Sequence, residues 1–142
     1  MRALLDINVL IALHDRDHIH HERAALWLEA NIGAGWASCP LTQNGCLRIM
    51  SQAAYSSPQP LALLVQMLQN STATPYHEQW NDSISLLDVA HFQHSHIHSP
   101  RQLTDVYLLA LAVQHGGRLV GFDQRIPLSA VRAATAEHLV VL

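Results

Sequence analysis

A chain of 142 residues is long enough to bury a core without metal or disulfide staples, and it fits one domain spanning residues 1–142. Hydrophobic residues make up 49% and charged residues only 13%, about half the usual charged share, which leaves apolar surface for a partner subunit to cover. A net charge of −3 and a pI near 6.4 exclude a protein that holds nucleic acid through an overall basic field, so any grip on a polyanion must be local.

All eight basic residues are arginine, which favours bidentate contact with phosphate or carboxylate over diffuse attraction. The two cysteines, Cys39 and Cys46, lack a C-x-x-C spacing and read as reduced, partly buried thiols. The longest strictly apolar run, Val106 to Val113, falls far short of the roughly 18 residues a membrane span needs. Met1-Arg2 leads straight into a strand with no signal sequence, so a cytoplasmic protein with no membrane association is expected.

In chain order, Ala3 to Leu5 is an apolar run too short for a helix, and it reads as a buried strand ending at Asp6. A helix over 8–14 follows. Residues 20–31 place Ala24, Ala25, Trp27 and Leu28 at helical intervals, and Gly33 and Gly35 end that helix. Residues 36–39 form a second strand, which Pro40 stops. Thr42 then caps a helix running to about Ser51, carrying Gln43, Asn44 and Arg48. A proline after the Ser56-Ser57 loop starts a helix over 59–69, and a strand is expected over 74–80.

Residues 91–100 turn polar and His-rich, as a surface turn would, before the strongest helix, 101–115. Its centre from Val106 to Val113 is apolar on every face and so belongs in the core, and Gly116-Gly117 ends it through a left-handed cap. Strands at 118–122 and 138–141 complete a βαβ-like alternation. The expected fold is a three-layer α/β/α domain with a mainly parallel central sheet.

Three acids stand where such folds carry chemistry. Asp6 and Asp123 end strands, where open α/β sheets bind ligands, and Asp105 opens the core helix. Magnesium and manganese take hard oxygen ligands of this kind, hold phosphodiester oxygens and activate bound water. Each acid alone also fits a structural role: Asp6 as an N-cap, Asp123 as a turn residue, Asp105 as a partner of its helix dipole.

The segments Leu4-Leu5-Asp6-Ile7-Asn8-Val9-Leu10, Cys39-Pro40-Leu41-Thr42-Gln43-Asn44-Gly45-Cys46-Leu47-Arg48, Leu103-Thr104-Asp105-Val106-Tyr107-Leu108-Leu109-Ala110-Leu111-Ala112 and Phe122-Asp123-Gln124-Arg125-Ile126 resemble successive motifs of PIN-domain ribonucleases. The nearest likeness is to the VapC toxin group of bacterial toxin–antitoxin systems. The likeness covers nearly the whole chain in order, with Gln79-Trp80 and Ser85-Leu86-Leu87-Asp88 also fitting.

That resemblance implies a toxin endoribonuclease using magnesium (Mg2+) or manganese (Mn2+), with Asp6, Asp105 and Asp123 as catalytic metal ligands. It implies an RNA substrate such as tRNA, a small cognate antitoxin (VapB-like) and a homodimer. Asn8 matches the small polar residue that supports the first aspartate. The chain departs from the family at Gln43, where a glutamate is common; the amide can accept a hydrogen bond from metal-bound water but adds no charge. Arg48, further along the same helix, is either a surface arginine or an RNA phosphate contact.

Other readings stand beside this one. The run Asp6-Ile7-Asn8-Val9-Leu10 superficially resembles the nucleophile loop of haloacid-dehalogenase phosphohydrolases, but Asn8 replaces their second acid, and the chain contains no lysine. A PIN-like RNA-binding module with little or no nuclease activity is the alternative that Gln43 suggests. The histidines at 14, 18, 20 and 21 and at 91, 94, 96 and 98 read as solvated loop residues rather than a zinc site. Tyr107 and Trp27 read as core packing.

Overall fold

The computed structural model describes all residues 1–142. Strand β1 (Ala3–Leu5) leads into α1 (Ile7–His14) and α2 (His21–Asn31); β2 (Trp36–Ser38) precedes α3 (Pro40–Met50) and α4 (Leu61–Thr72). Strand β3 (His77–Gln79), helix α5 (Leu103–Gln114) and strands β4 (Arg118–Gly121) and β5 (Leu139–Val141) follow. All five strands are parallel, in the order β3-β2-β1-β4-β5.

The sheet is covered on both faces because its residues alternate. Ala3, Leu5, Trp36 and Val120 pack with α1, α2, α3 and α4, whereas Leu4, Ala37 and Leu119 face α5. This is the three-layer α/β/α arrangement expected. Every residue of α5 from Val106 to Ala112 is buried, as an all-apolar helix requires. Leu109→Ala should therefore cost about 2–5 kcal/mol and lower the melting temperature by several degrees in a thermal scan.

Gly116 adopts φ +65° and ends α5 as the expected left-handed cap, with Gly117 donating its N–H to the carbonyl of Ala112 (2.8 Å).

Several expectations are corrected. Thr42 does not cap α3. Cys39 is the N-cap, and Pro40 holds the first helical position, where its fixed φ and missing N–H cost nothing. The fully buried Thr42 hydroxyl instead accepts the Cys39 N–H (3.0 Å) and lies 3.1 Å from the Cys39 carbonyl, to which it donates. Helix α4 starts after Pro60 and runs to Thr72, whose hydroxyl donates back to the Leu68 carbonyl (2.7 Å).

Strand β3 is only three residues long; the next residue, Trp80, still donates its N–H to the Ser38 carbonyl (3.0 Å) while its ring stacks on His115 with centroids 4.3 Å apart. The segment 91–100 is not wholly a surface turn. Phe92 is fully buried and bridges to Val131, and Ile97 packs on the α5 core. A turn of 3-10 helix, Pro100–Gln102, precedes α5 and is capped by Ser99.

Candidate active site

The strand order reverses at β1, which has β2 on one side and β4 on the other. A crevice opens at the carboxyl ends of strands flanking such a switch point, the position where α/β sheets bind ligands. Asp6 follows β1 directly, and Asp123 lies two residues past β4.

Asp6 has two jobs. Its Oδ1 accepts the Val9 N–H at 2.9 Å and so caps α1, as one structural reading of the sequence required. The residue is only 5% exposed, and burial, joined by the charges of Asp105 and Asp123, pushes its carboxyl up to about 7. Asp105, half-buried in the first turn of α5, is also raised, first by burial and then by Asp123. Neither acid pairs with a basic side chain.

Space for the Asp6 carboxylate comes from Gly121. A methyl group built at Gly121 would stand 2.8 Å from Asp6 Oδ2, so the last residue of β4 has no room for a side chain. Gly121→Ala should displace Asp6 and destabilise the fold by about 1–3 kcal/mol, which denaturant unfolding would measure.

Asp123 faces differently. Arg125 grips its carboxylate with Nε on Oδ1 (3.1 Å) and Nη2 on Oδ2 (3.2 Å), and the Arg125 backbone N–H adds a third bond (2.8 Å). These contacts hold the Asp123 carboxyl below its ordinary range. The three aspartates are thus within electrostatic reach of one another, but no three His, Cys, Asp or Glu side chains close on a single point.

The donor set nonetheless suits a divalent cation. Magnesium is commonly held by one or two carboxylates with waters completing its shell, and Asp6 and Asp105 offer two hard-oxygen ligands without a balancing positive charge.

The remaining predicted residues divide. Asn8 is exposed, and its backbone N–H rather than its amide favours the charged form of Asp6. The Gln43 amide donates to Ser38 Oγ (2.9 Å) and Gln79 Oε1 (2.6 Å), which ties α3 to the β2–β3 edge and makes no bond to an aspartate. Arg48 lines a cleft with Ile7, Leu41, Asn44, Asp82 and Thr104. Asp82 and Gly121 were not foreseen as site residues. Asp82 lies in a loop with no periodicity, and Gly121 reads from sequence only as a residue of the strand expected over 118–122.

Tyr107 packs in the core as expected, and Trp27 packs beneath the Arg118 guanidinium. The histidines form no metal cluster; His14 and His21 bond instead to the carbonyls of Leu10 and Ala12 (2.7 Å each).

The family model of the PIN domain matches residues 3–132. With that match and this topology, the chain belongs to the PIN-domain family. Along its full length it is similar to ribonuclease VapC44 of Mycobacterium tuberculosis, with 54% identity over 142 residues and all of both chains covered. Ribonuclease VapC39 of the same organism is 38% identical over 132 residues, covering 92% of this chain and 94% of that one. The fold is similar to a chain in the crystal structure of VapBC2 from Rickettsia felis bound to a DNA fragment from their promoter. There the TM-score is 0.60 at 14% identity, covering 89% of this chain and 94% of that chain. PIN-domain ribonucleases are in general dependent on divalent metal.

Proposed function

We propose that this protein is a metal-dependent endoribonuclease, the toxin of a type II toxin–antitoxin pair, which hydrolyses phosphodiester bonds in a structured RNA such as tRNA. The observation that carries the reading is the pair of mutually repelling carboxylates, Asp6 and Asp105, with no basic side chain paired to either, at the switch point of a PIN sheet. Full-length similarity to proteins named VapC ribonucleases supports it.

Asp6, Asp105 and Asp123 would hold magnesium or manganese. When bound, the cation polarises a phosphoryl oxygen and lowers the pKa of a water that it holds. Asp105, half-buried and raised by burial and by Asp123, is a stronger base than an ordinary aspartate and would accept a proton from the attacking water. Arg48 supplies a positive charge for a neighbouring phosphate.

A small VapB-like antitoxin and a second copy of the chain are the proposed protein partners. Leu61, Leu63, Leu26 and Ile19 are exposed and offer apolar area for both. No helix is long and apolar enough to cross a membrane, and we place the protein in the cytoplasm with its RNA.

The test is incubation of purified protein with mixed cellular RNA, with magnesium or manganese and with a chelator. Fragments should appear only when a cation is present. Retarded RNA with no fragments under any condition would overturn the nuclease reading in favour of a binding module. Sequencing the new RNA ends would then name the target.

A further inference from the structure

Beside the acids lies a cleft of about 460 Å3, within the range of pockets that hold small ligands. Its lining includes Ile7 and Thr104, the chain neighbours of Asp6 and Asp105. Ile7 and Leu41 give it apolar lining, and Asn44, Arg48, Asp82 and Thr104 give it polar groups. Arg48 and Asp82 line the same cleft, and their side chains form an ion pair neither with each other nor with any other charged side chain.

Two opposite, unpaired charges in one partly apolar cleft fit a ligand that is itself divided. A nucleotide has that division: an anionic phosphate, a flat base with an apolar face, and an edge of hydrogen-bond donors and acceptors. We propose that the cleft is a nucleobase pocket flanking the scissile phosphate, in which Asp82 selects guanine. The proposal rests on the ribonuclease reading of the neighbouring acids and adds the base that the enzyme recognises.

The choice of base follows from donor chemistry. An ionised carboxylate only accepts hydrogen bonds. Guanine presents two adjacent donors, N1–H and the N2 amino group, on its Watson–Crick edge, so that both carboxylate oxygens can be satisfied at once. Uracil sets its single N–H between two carbonyl oxygens, which an aspartate repels. Cytosine and adenine each offer one amino group beside a ring acceptor. Single-stranded RNA displays these edges for recognition, and Asn44 can meet an acceptor such as O6 with its amide. Arg48 then takes the adjoining phosphate.

Two readouts test this. The first is kcat/KM for short oligonucleotides that differ only in the nucleotide beside the cut. Guanine should be preferred over uracil by about tenfold or more, and Asp82→Asn should bring that ratio close to one. The second is fluorescence anisotropy of uncleaved guanine and uracil oligonucleotides on Asp105→Asn protein, with and without Asp82→Asn, where the affinity ratio should fall in the same way.

A wild-type protein with no preference between the two bases overturns the pocket, as does a preference that survives Asp82→Asn. Equal loss of cleavage on every base in Asp82→Asn also overturns it, because Asp82 would then act on the reaction centre. If the wild type cuts no RNA, the ribonuclease reading fails, and the binding ratio alone judges the pocket.

Discussion

Asp6→Asn should raise the melting temperature of the chelated protein at pH 8 by roughly 5–10 °C while abolishing its cleavage of RNA. The gain follows from the cost of charge at this position. The folded-state value of about 7 lies above the ordinary 3.8, so the folded chain binds the proton more tightly than the unfolded chain between these values. For such a group stability is greatest below the unfolded value and falls as pH rises through the folded one. Above pH 7 the full penalty applies, at most about 4 kcal/mol for a shift of this size.

Asparagine removes the charge and keeps the cap, since its oxygen can accept the Val9 N–H as Asp6 Oδ1 does. The difference between parent and variant should shrink as the pH is lowered from 8 toward 4. Added magnesium should narrow it at pH 8 by stabilising the parent alone. For the same reason the parent's cation affinity should weaken below pH 7, where the proton competes for Asp6. Scanning calorimetry across this pH range, with and without chelator, reads all of these effects. Equal melting temperatures at pH 8 in chelator would show that the buried carboxylate costs the fold nothing.

Asp105→Asn should lower metal-dependent cleavage by more than about a hundredfold, the scale on which loss of one preorganised charge-stabilising group acts. Its side chain stands in the first turn of α5, where the negative charge complements the helix dipole by under about 1 kcal/mol. Removing that charge also relieves repulsion from Asp123 and Asp6. The two effects oppose each other, so the variant should melt close to the parent, and its loss should be one of chemistry alone. Circular dichroism melts beside the cleavage assay check the pair. If Asp105→Asn cuts as well as the parent, the assignment of the site to these aspartates is wrong.

The most legible parts of the chain were those whose residues are buried on every side. The runs Ala3 to Leu5 and Val106 to Ala112, and the glycines that follow α5, have one compact solution each, and the fold adopts it. The start of α3 was less legible because two local signals competed there. Threonine is a good cap, but proline at the first helical position leaves Cys39 as the cap and turns the Thr42 side chain inward. The segment 81–99 lacks a period that a reader of sequence could use, although Phe92 in its midst is fully buried.

The site was legible as chemistry and not as geometry. Three aspartates at two strand ends and one helix start are a pattern in one dimension. The sequence by itself determined which acids the chain possesses, the alternation that buries both faces of a parallel sheet, and the helix that fills one of its layers. Only the tertiary structure decided that Asp6 is buried, that Arg125 holds Asp123, that Gln43 spans to Gln79 and that Asp82 and Arg48 line one cleft. The physical reason is range. Alternation and capping act over a few neighbouring residues, whereas desolvation, ion pairing and the space left by Gly121 depend on atoms that the chain brings together from distant positions.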